Sequence, residues 1–124
     1  MEKYDKPASV GVDDFGFALH LINSDAVGEI MQTGVYGTPS IKLVCEWDDE
    51  VATFPTADEM NAAAVKGNWD RARKERNELL AATDFYALAD VPMSADMRKY
   101  RQALRDVPAS VENSEDVVWP EKPV

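Results

Sequence analysis

The heptapeptide FPTADEM, Phe54–Met60, divides this chain into two kinds of sequence. Thr56 and Glu59 form a capping box, in which each side chain satisfies a backbone N–H that the start of a helix would otherwise leave orphaned. Downstream, MNAAAVKGNWDRARKERNELLAA reads as helix, with Trp69, Ala72, Leu79, Leu80 and Thr83 recurring on one face and Arg76 in the same stripe. Gly67 interrupts it at a cost of about 1 kcal/mol relative to Ala, so a kink or a break is expected there. The helix should end near Thr83. TDFYALADVPMS then leads to a second helix, capped by Ser94, with Met97, Tyr100, Leu104 and Val107 inward and Pro108 closing it.

Upstream of Thr56 the period shortens to two. SIKLVCEW alternates Ile41, Leu43 and Cys45 with Lys42, Val44 and Glu46, the pattern of a half-buried strand. Asp48, Asp49 and Glu50 make a turn, and VATF reads as a return strand. DFGFALHLI alternates Phe15, Phe17, Leu19 and Leu21 and reads as a strand too. VGEIMQTGVYGTPS, with Gly28, Gly34, Gly37 and Pro39, has room for a short strand between turns, but its periodicity does not decide. Residues 1–14 read as a loose polar arm. The prediction is an α+β chain: a small N-terminal antiparallel β-sheet within residues 1–55, then over 56–124 an antiparallel helix pair. An extended tail carrying Trp119, Pro120 and Pro123 follows, where the prolines disfavour helix.

The length of 124 residues fits one domain with a modest core, and 45% hydrophobic with 29% charged residues is a globular composition. A net charge of −10 argues against nonspecific nucleic-acid binding, because phosphates would be repelled. That charge is uneven. Residues 1–60 carry 12 acids against 3 bases, whereas residues 61–108 carry 7 against 9. The N-terminus, MEKYDKPAS, lacks the apolar run of a signal peptide, and no apolar stretch reaches the ~20 residues that span a bilayer, so a cytoplasmic site of synthesis is expected.

Catalytic constellations are hard to assemble from these residues. One histidine and one cysteine leave His20 and Cys45 as the sole such pair, too few for a zinc site. Cys45, among apolar neighbours, reads as a small buried hydrophobe, and His20 as a solvent-facing or hydrogen-bonded structural residue. The glycines of GVYGTP lack the lysine and the following helix of a phosphate loop. Asp13–Asp14 and Asp48–Glu50 read as solvated turns without calcium-loop spacing. No enzyme, metal or cofactor is expected, and no membrane or nucleic-acid partner.

The arginines raise a sharper question. Arg71, Arg73, Lys74 and Arg76, with Arg98, Lys99, Arg101 and Arg105, either form a basic face or pair with Asp70, Glu75, Glu78, Asp84, Asp90 and Asp106 around the helix pair. The interleaved acids favour pairing, and Asp84 with Arg101 or Arg105 is the first pair to test. Tyr100 and Leu104 are expected to pack on Leu79, Leu80 and Trp69. The aromatics Trp69, Phe85, Tyr86, Tyr100 and Trp119 suit either a packed core with Trp119 as its lid or a base-stacking platform, and the local acids favour the core.

The run RKERNELLAATDFYALAD, then VPMSADMRKYRQALRDVP, then VVWPEKP resembles the C-terminal signature of tailed-phage tail assembly chaperones and tail-fibre assembly proteins. The positions that carry the resemblance are Arg73, Arg76, Leu79, Leu80, Thr83, Asp84, Leu88, Pro92, Tyr100, Arg101, Leu104, Arg105, Asp106, Pro108, Trp119, Pro120 and Pro123, within residues 69–123. Phe85 stands where that family typically has Trp, and Glu112, Glu115 and Asp116 make the segment before Trp119 unusually acidic. The resemblance implies a noncatalytic protein acting in the host cytoplasm during phage assembly, with a tail or tail-fibre protein as its client. Trp69, Arg76, Leu79, Leu80, Asp84, Phe85, Tyr100, Arg101, Leu104, Arg105, Asp106, Trp119 and Pro120 would be its structural signature and partner-binding residues. Residues 1–55 would contact the client or partner, and 56–124 would form the compact module. The alternatives are a structural component of the virion, retained as a tail, baseplate or fibre adaptor, and an acidic inhibitor that mimics nucleic acid.

Overall fold

The structure, a computed structural model, describes residues 1–88 and 90–123. The chain divides into two compact units, the first Met1–Gly67 and the second beginning at Asn68. The first holds β1 (Glu2–Asp5), α1 (Val12–Asn23), β2 (Val27–Thr33), β3 (Lys42–Trp47) and the opening turns of α2 (Ala57–Ala81). The second holds the rest of α2, a 3-10 turn at Asp84–Ala87, α3 (Ala95–Ser110) and a 3-10 turn at Ser114–Asp116. The class is α+β.

The sheet is three-stranded and antiparallel, in the order β1-β3-β2. Its centre is the segment whose period-two pattern was plainest. Leu43, Cys45 and Trp47 are buried on one face of β3, with Lys42, Val44 and Glu46 on the other. β1 pairs with β3 from Glu2↔Trp47 to Asp5↔Val44, so the N-terminal residues are an edge strand rather than a loose arm. β2 pairs on the other side, with a bulge between Val27 and Ile30. That irregularity, beside Gly28, explains why no clean alternation marks β2 in the sequence.

Two expected strands are absent. Val12–Asn23 is helix α1, because Phe15, Ala18 and Leu19 meet the i, i+3, i+4 spacing as well as the alternation, and all three are fully buried. Asp13 and Asp14, read as a solvated turn, sit in its first turn, where the helix dipole favours negative charge. Phe17 and Leu21 lie on a different face and face Gly67. VATF is irregular: the Trp47 indole N–H donates to the Ala52 carbonyl at 2.8 Å, and the Phe54 ring stacks on Tyr4 at 4.0 Å while meeting Trp47 edge-on at 5.4 Å. This segment closes one end of the core instead of extending the sheet.

The capping box forms as expected. Glu59 N–H donates to the Thr56 hydroxyl at 3.2 Å, and Thr56 N–H donates to the Glu59 carboxylate at 3.2 Å. Met60 and Ala64 of α2 then join Phe15, Leu19, Cys45 and Trp47 in the first unit's core. Gly67 does not break the helix, which runs from Ala57 to Ala81. It is buried, and a methyl group there would lie 2.5 Å from Leu21 Cδ1 and 2.7 Å from Phe17 Cζ. The glycine allows α1 to approach closely.

α3 begins as expected, with the Met97 N–H donating to the Ser94 hydroxyl at 3.1 Å. It continues through Pro108 to Ser110 rather than stopping at the proline. Proline removes one helical hydrogen bond there, in the last turn, where little of the helix follows for it to disturb.

Two outcomes follow. Gly67→Val should destabilise the protein by about 1–3 kcal/mol through overpacking, although valine is the better helix former. Thermal or urea unfolding measures this, and an unchanged or raised stability would contradict the close approach. Cys45 is fully buried, and burial, reinforced by the Glu46 charge, pushes its thiol pKa up against a weaker opposing backbone bond from Gly28. A thiol-specific reagent at mildly alkaline pH should therefore modify Cys45 only as the chain unfolds, and rapid labelling of the native protein would refute that burial.

Candidate functional site

In the second unit the signature residues are organised by one charged side chain. α2 ends at Ala81, so its last carbonyls lack the partners of a continuing helix, and that of Leu80 accepts instead from the Thr83 N–H at 3.0 Å. Thr83, only 1% exposed, turns its hydroxyl back to donate to the Leu80 carbonyl at 3.1 Å. Arg101, 7% exposed, enters from α3 and supplies the remaining donors. Its Nη1 donates to the Leu80 carbonyl at 2.9 Å and to the Thr83 hydroxyl at 2.7 Å. Its Nη2 donates to Asp84 Oδ1 at 2.9 Å. One guanidinium thus joins the end of α2, the following turn and the middle of α3.

This pair is asymmetric. Most of the Arg101 side chain is shielded, whereas that of Asp84 faces solvent. Its contribution therefore rests on giving a buried cation three acceptors, one of them charged, rather than on the Coulomb attraction alone. Of the two arginines considered for Asp84, the structure uses Arg101, while Arg105 is exposed.

Around this anchor Met97, Tyr100 and Leu104 form a cluster with Leu79, Leu80, Tyr86, Met93 and Trp119. Each fully buried side chain of this kind contributes about 1.5–3 kcal/mol. Trp69 is not among these residues, which corrects the packing expected of it: the guanidinium of Arg73 lies 5.7 Å from its ring centroid instead. Ten residues separate Trp69 from Leu79, or about 15 Å of helix, more than the turn of α3 between Tyr100 and Leu104 can cover.

The other signature residues spread over the surface. Arg76 is half-buried and donates to the Asn77 side chain at 3.2 and 3.0 Å. Phe85 is exposed, its ring 3.9 Å from that of Tyr86. Asp106 is exposed and accepts from Gln102 at 3.0 Å. Trp119 and Pro120 are half-buried, and Trp119 with Val117 lines a cavity of about 350 Å³ bordered by Asn68, Arg71, Ala72 and Glu75. The pairing expected of the arginines is seen at Arg101–Asp84 and, at 3.8 Å, at the exposed Arg73–Asp70, a pair worth little by itself.

Two contributors to the anchor carried no mark as site residues. Thr83 was legible as part of the helix face, but a hydroxyl just past a helix end is also a capping group, and that signal was available. The Leu80 carbonyl is backbone and has no signature of its own. Elsewhere, His20 is exposed with its Nδ1 2.8 Å from the Gly16 carbonyl, to which it donates. Among the described residues no group of three or more His, Cys, Asp or Glu is placed to hold a metal ion. What the arrangement offers is a fixed scaffold with exposed apolar and cationic groups, suited to binding.

Comparison with known proteins agrees with the resemblance read from the sequence. Residues 69–124 match the family model described as phage tail assembly chaperone protein. The matched residues fall within the second unit, in which Arg101 makes its three contacts. No curated protein and no solved structure matched the chain.

Arg101→Ala should cost about 2–4 kcal/mol, because it removes three hydrogen bonds and opens a gap beside Thr83. Arg105→Ala should stay within about 0.5 kcal/mol of the parent, as exposed substitutions do. Arg101→Lys should recover little, since an ammonium cannot reproduce the fork. Equal effects of the two alanine substitutions in urea unfolding would refute the anchor.

Proposed function

We propose that this protein is a noncatalytic assembly chaperone that helps a phage tail or tail-fibre protein fold, oligomerise or attach. The observation that carries this reading is the match of residues 69–124 to the phage tail assembly chaperone family. The geometry is compatible with it. The side chains that sequence reasoning would nominate for chemistry are committed to structure: Cys45 is buried, His20 bonds its own helix, and Arg101 holds the end of α2. Phe85 and Leu88, at 51% and 58% exposure, are apolar groups left in solvent beside that anchor.

The first unit supplies a second mode of contact. β1 and β2 flank β3, so each has one edge unpaired within the described sheet. Fibre and tail proteins expose strand edges and apolar surface before they assemble, and a partner that pairs with those edges suppresses aggregation. On this reading residues 1–55 take the client by strand addition, and residues 56–124 provide the compact module.

Co-expression with the tail and tail-fibre proteins of the same phage, one at a time, tests the function. At least one should become several-fold more soluble; no change in any of them would overturn the chaperone reading. Mass spectrometry of purified virions separates it from a retained adaptor, for which the chain would be present stoichiometrically. In the client complex, amide exchange should slow on Glu2–Asp5 or Val27–Thr33, and protection confined to the second unit would end the strand-addition mode.

A further inference from the structure

Positive charge that the anchor leaves uncommitted lies along one face of α3. Arg98, Arg101 and Arg105 follow the i, i+3, i+7 spacing of a single helical stripe. With Ala87, Met93 and Gln102 they line an open cavity of about 300 Å³. The three arginines are not equivalent. Arg101 is buried and already bonded to Leu80, Thr83 and Asp84. Arg98 and Arg105 are exposed, and neither guanidinium has a hydrogen bond or ion pair with a described residue. Asp106, the acid next to Arg105, is engaged by Gln102 at 3.0 Å instead.

Such spacing fixes what the face can hold. Seven residues of helix place the two free forks about 10 Å apart. Side chains of an extended chain return to one face at every second residue, so two carboxylates on this face with a third side chain between them lie four residues apart, about 13 Å at 3.3 Å per residue, within reach of two long arginine arms. Each fork can donate two parallel hydrogen bonds to one carboxylate. The half-buried Met93 and the exposed Ala87 line the same cavity, so it offers apolar surface beside the forks.

We propose that this face of α3 is a docking groove for an acidic segment of the client, bound extended, with two carboxylates four residues apart and an apolar side chain midway between them. The proposal rests on the chaperone reading and specifies the chemistry by which the client is recognised. A polyphosphate is disfavoured because its denser charge is repelled more strongly by a chain of net charge −10. A second copy is disfavoured by the same charge, since two such chains repel.

The probe is a fluorescent peptide of about twelve residues, neutral apart from two glutamates four positions apart with a leucine midway between them. Its anisotropy should rise on titration with the full chain and fall as salt is raised, as screening requires. The Arg98→Ala/Arg105→Ala variant should bind it about tenfold more weakly or worse, the loss of two charge-assisted forks. Both side chains are exposed, so the variant should keep the parent's circular dichroism spectrum and melting temperature. The groove is refuted if the peptide does not bind, if its glutamine analogue binds equally, if the double variant binds equally, or if an oligothymidylate of similar length binds more tightly. In the co-expression assay, a parent chain that solubilises no tail protein defeats the chaperone reading whatever the peptide does. A parent and double variant that solubilise the client equally defeat the groove alone.

Discussion

A guanidinium taken out of water needs acceptors, and the second unit is arranged around supplying three of them to Arg101. The end of α2 offers the Leu80 carbonyl, shared with the Thr83 N–H, Thr83 offers a hydroxyl, and Asp84 offers a carboxylate. Each needs the others. Without Arg101 the acceptors have no common donor, and without the acceptors Arg101 would be a buried charge with a penalty of several kcal/mol. Because donor and acceptors lie some twenty residues apart, satisfying this one side chain ties α3 to the turn that follows α2. The cluster of Met97, Tyr100 and Leu104 against Leu79 and Leu80 adds the nondirectional part of the same attachment.

The first unit depends on a constraint of another kind, which is space. β3 presents Leu43, Cys45 and Trp47, and these are covered by Phe15, Ala18 and Leu19 of α1 with Met60 and Ala64 of α2. α1 lies close to α2 because Gly67 has no side chain to meet Leu21 and Phe17. Phe54, held between Tyr4 and Trp47, closes an end of the same core. A glycine that reads as a defect on helix propensity is thus a packing residue. The energy that a helical glycine loses is offset by apolar burial on its neighbours.

Division of labour along α3 follows from its two faces. One face is apolar and is used up in packing, with Met97, Tyr100, Leu104 and Val107 all buried. Arg101 lies at the margin of that face, buried and fully engaged, while Arg98 and Arg105 flank it in solvent. The same stripe therefore grades from structural to available charge within two turns. A helix whose register is fixed by an internal anchor presents its remaining charges at fixed spacing, which is what selective recognition of a short segment needs. The family to which residues 69–124 are matched is one of assembly chaperones, and such a surface suits transient binding.

Some of this was determined by the sequence alone. The capping box at Thr56 and Glu59, the Ser94 cap, the buried face of α3 and the alternation of β3 were legible because each is set by backbone geometry acting over a few residues. The class, α+β, follows from them, and Asp84 with one of two arginines was legible as a pair. Tertiary structure decided the rest. DFGFALHLI satisfied both periods, and only the buried slot for Phe15, Ala18 and Leu19 made it a helix. β1 had no apolar pattern because an edge strand of four residues is held by its hydrogen bonds to β3. The choice of Arg101 over Arg105 turned on which one faces Thr83 and a backbone carbonyl, and no local pattern encodes the position of a carbonyl. Short-range rules fix what each segment can become; which possibility is realised is fixed by the partner that buries its side chains or satisfies its hydrogen bonds.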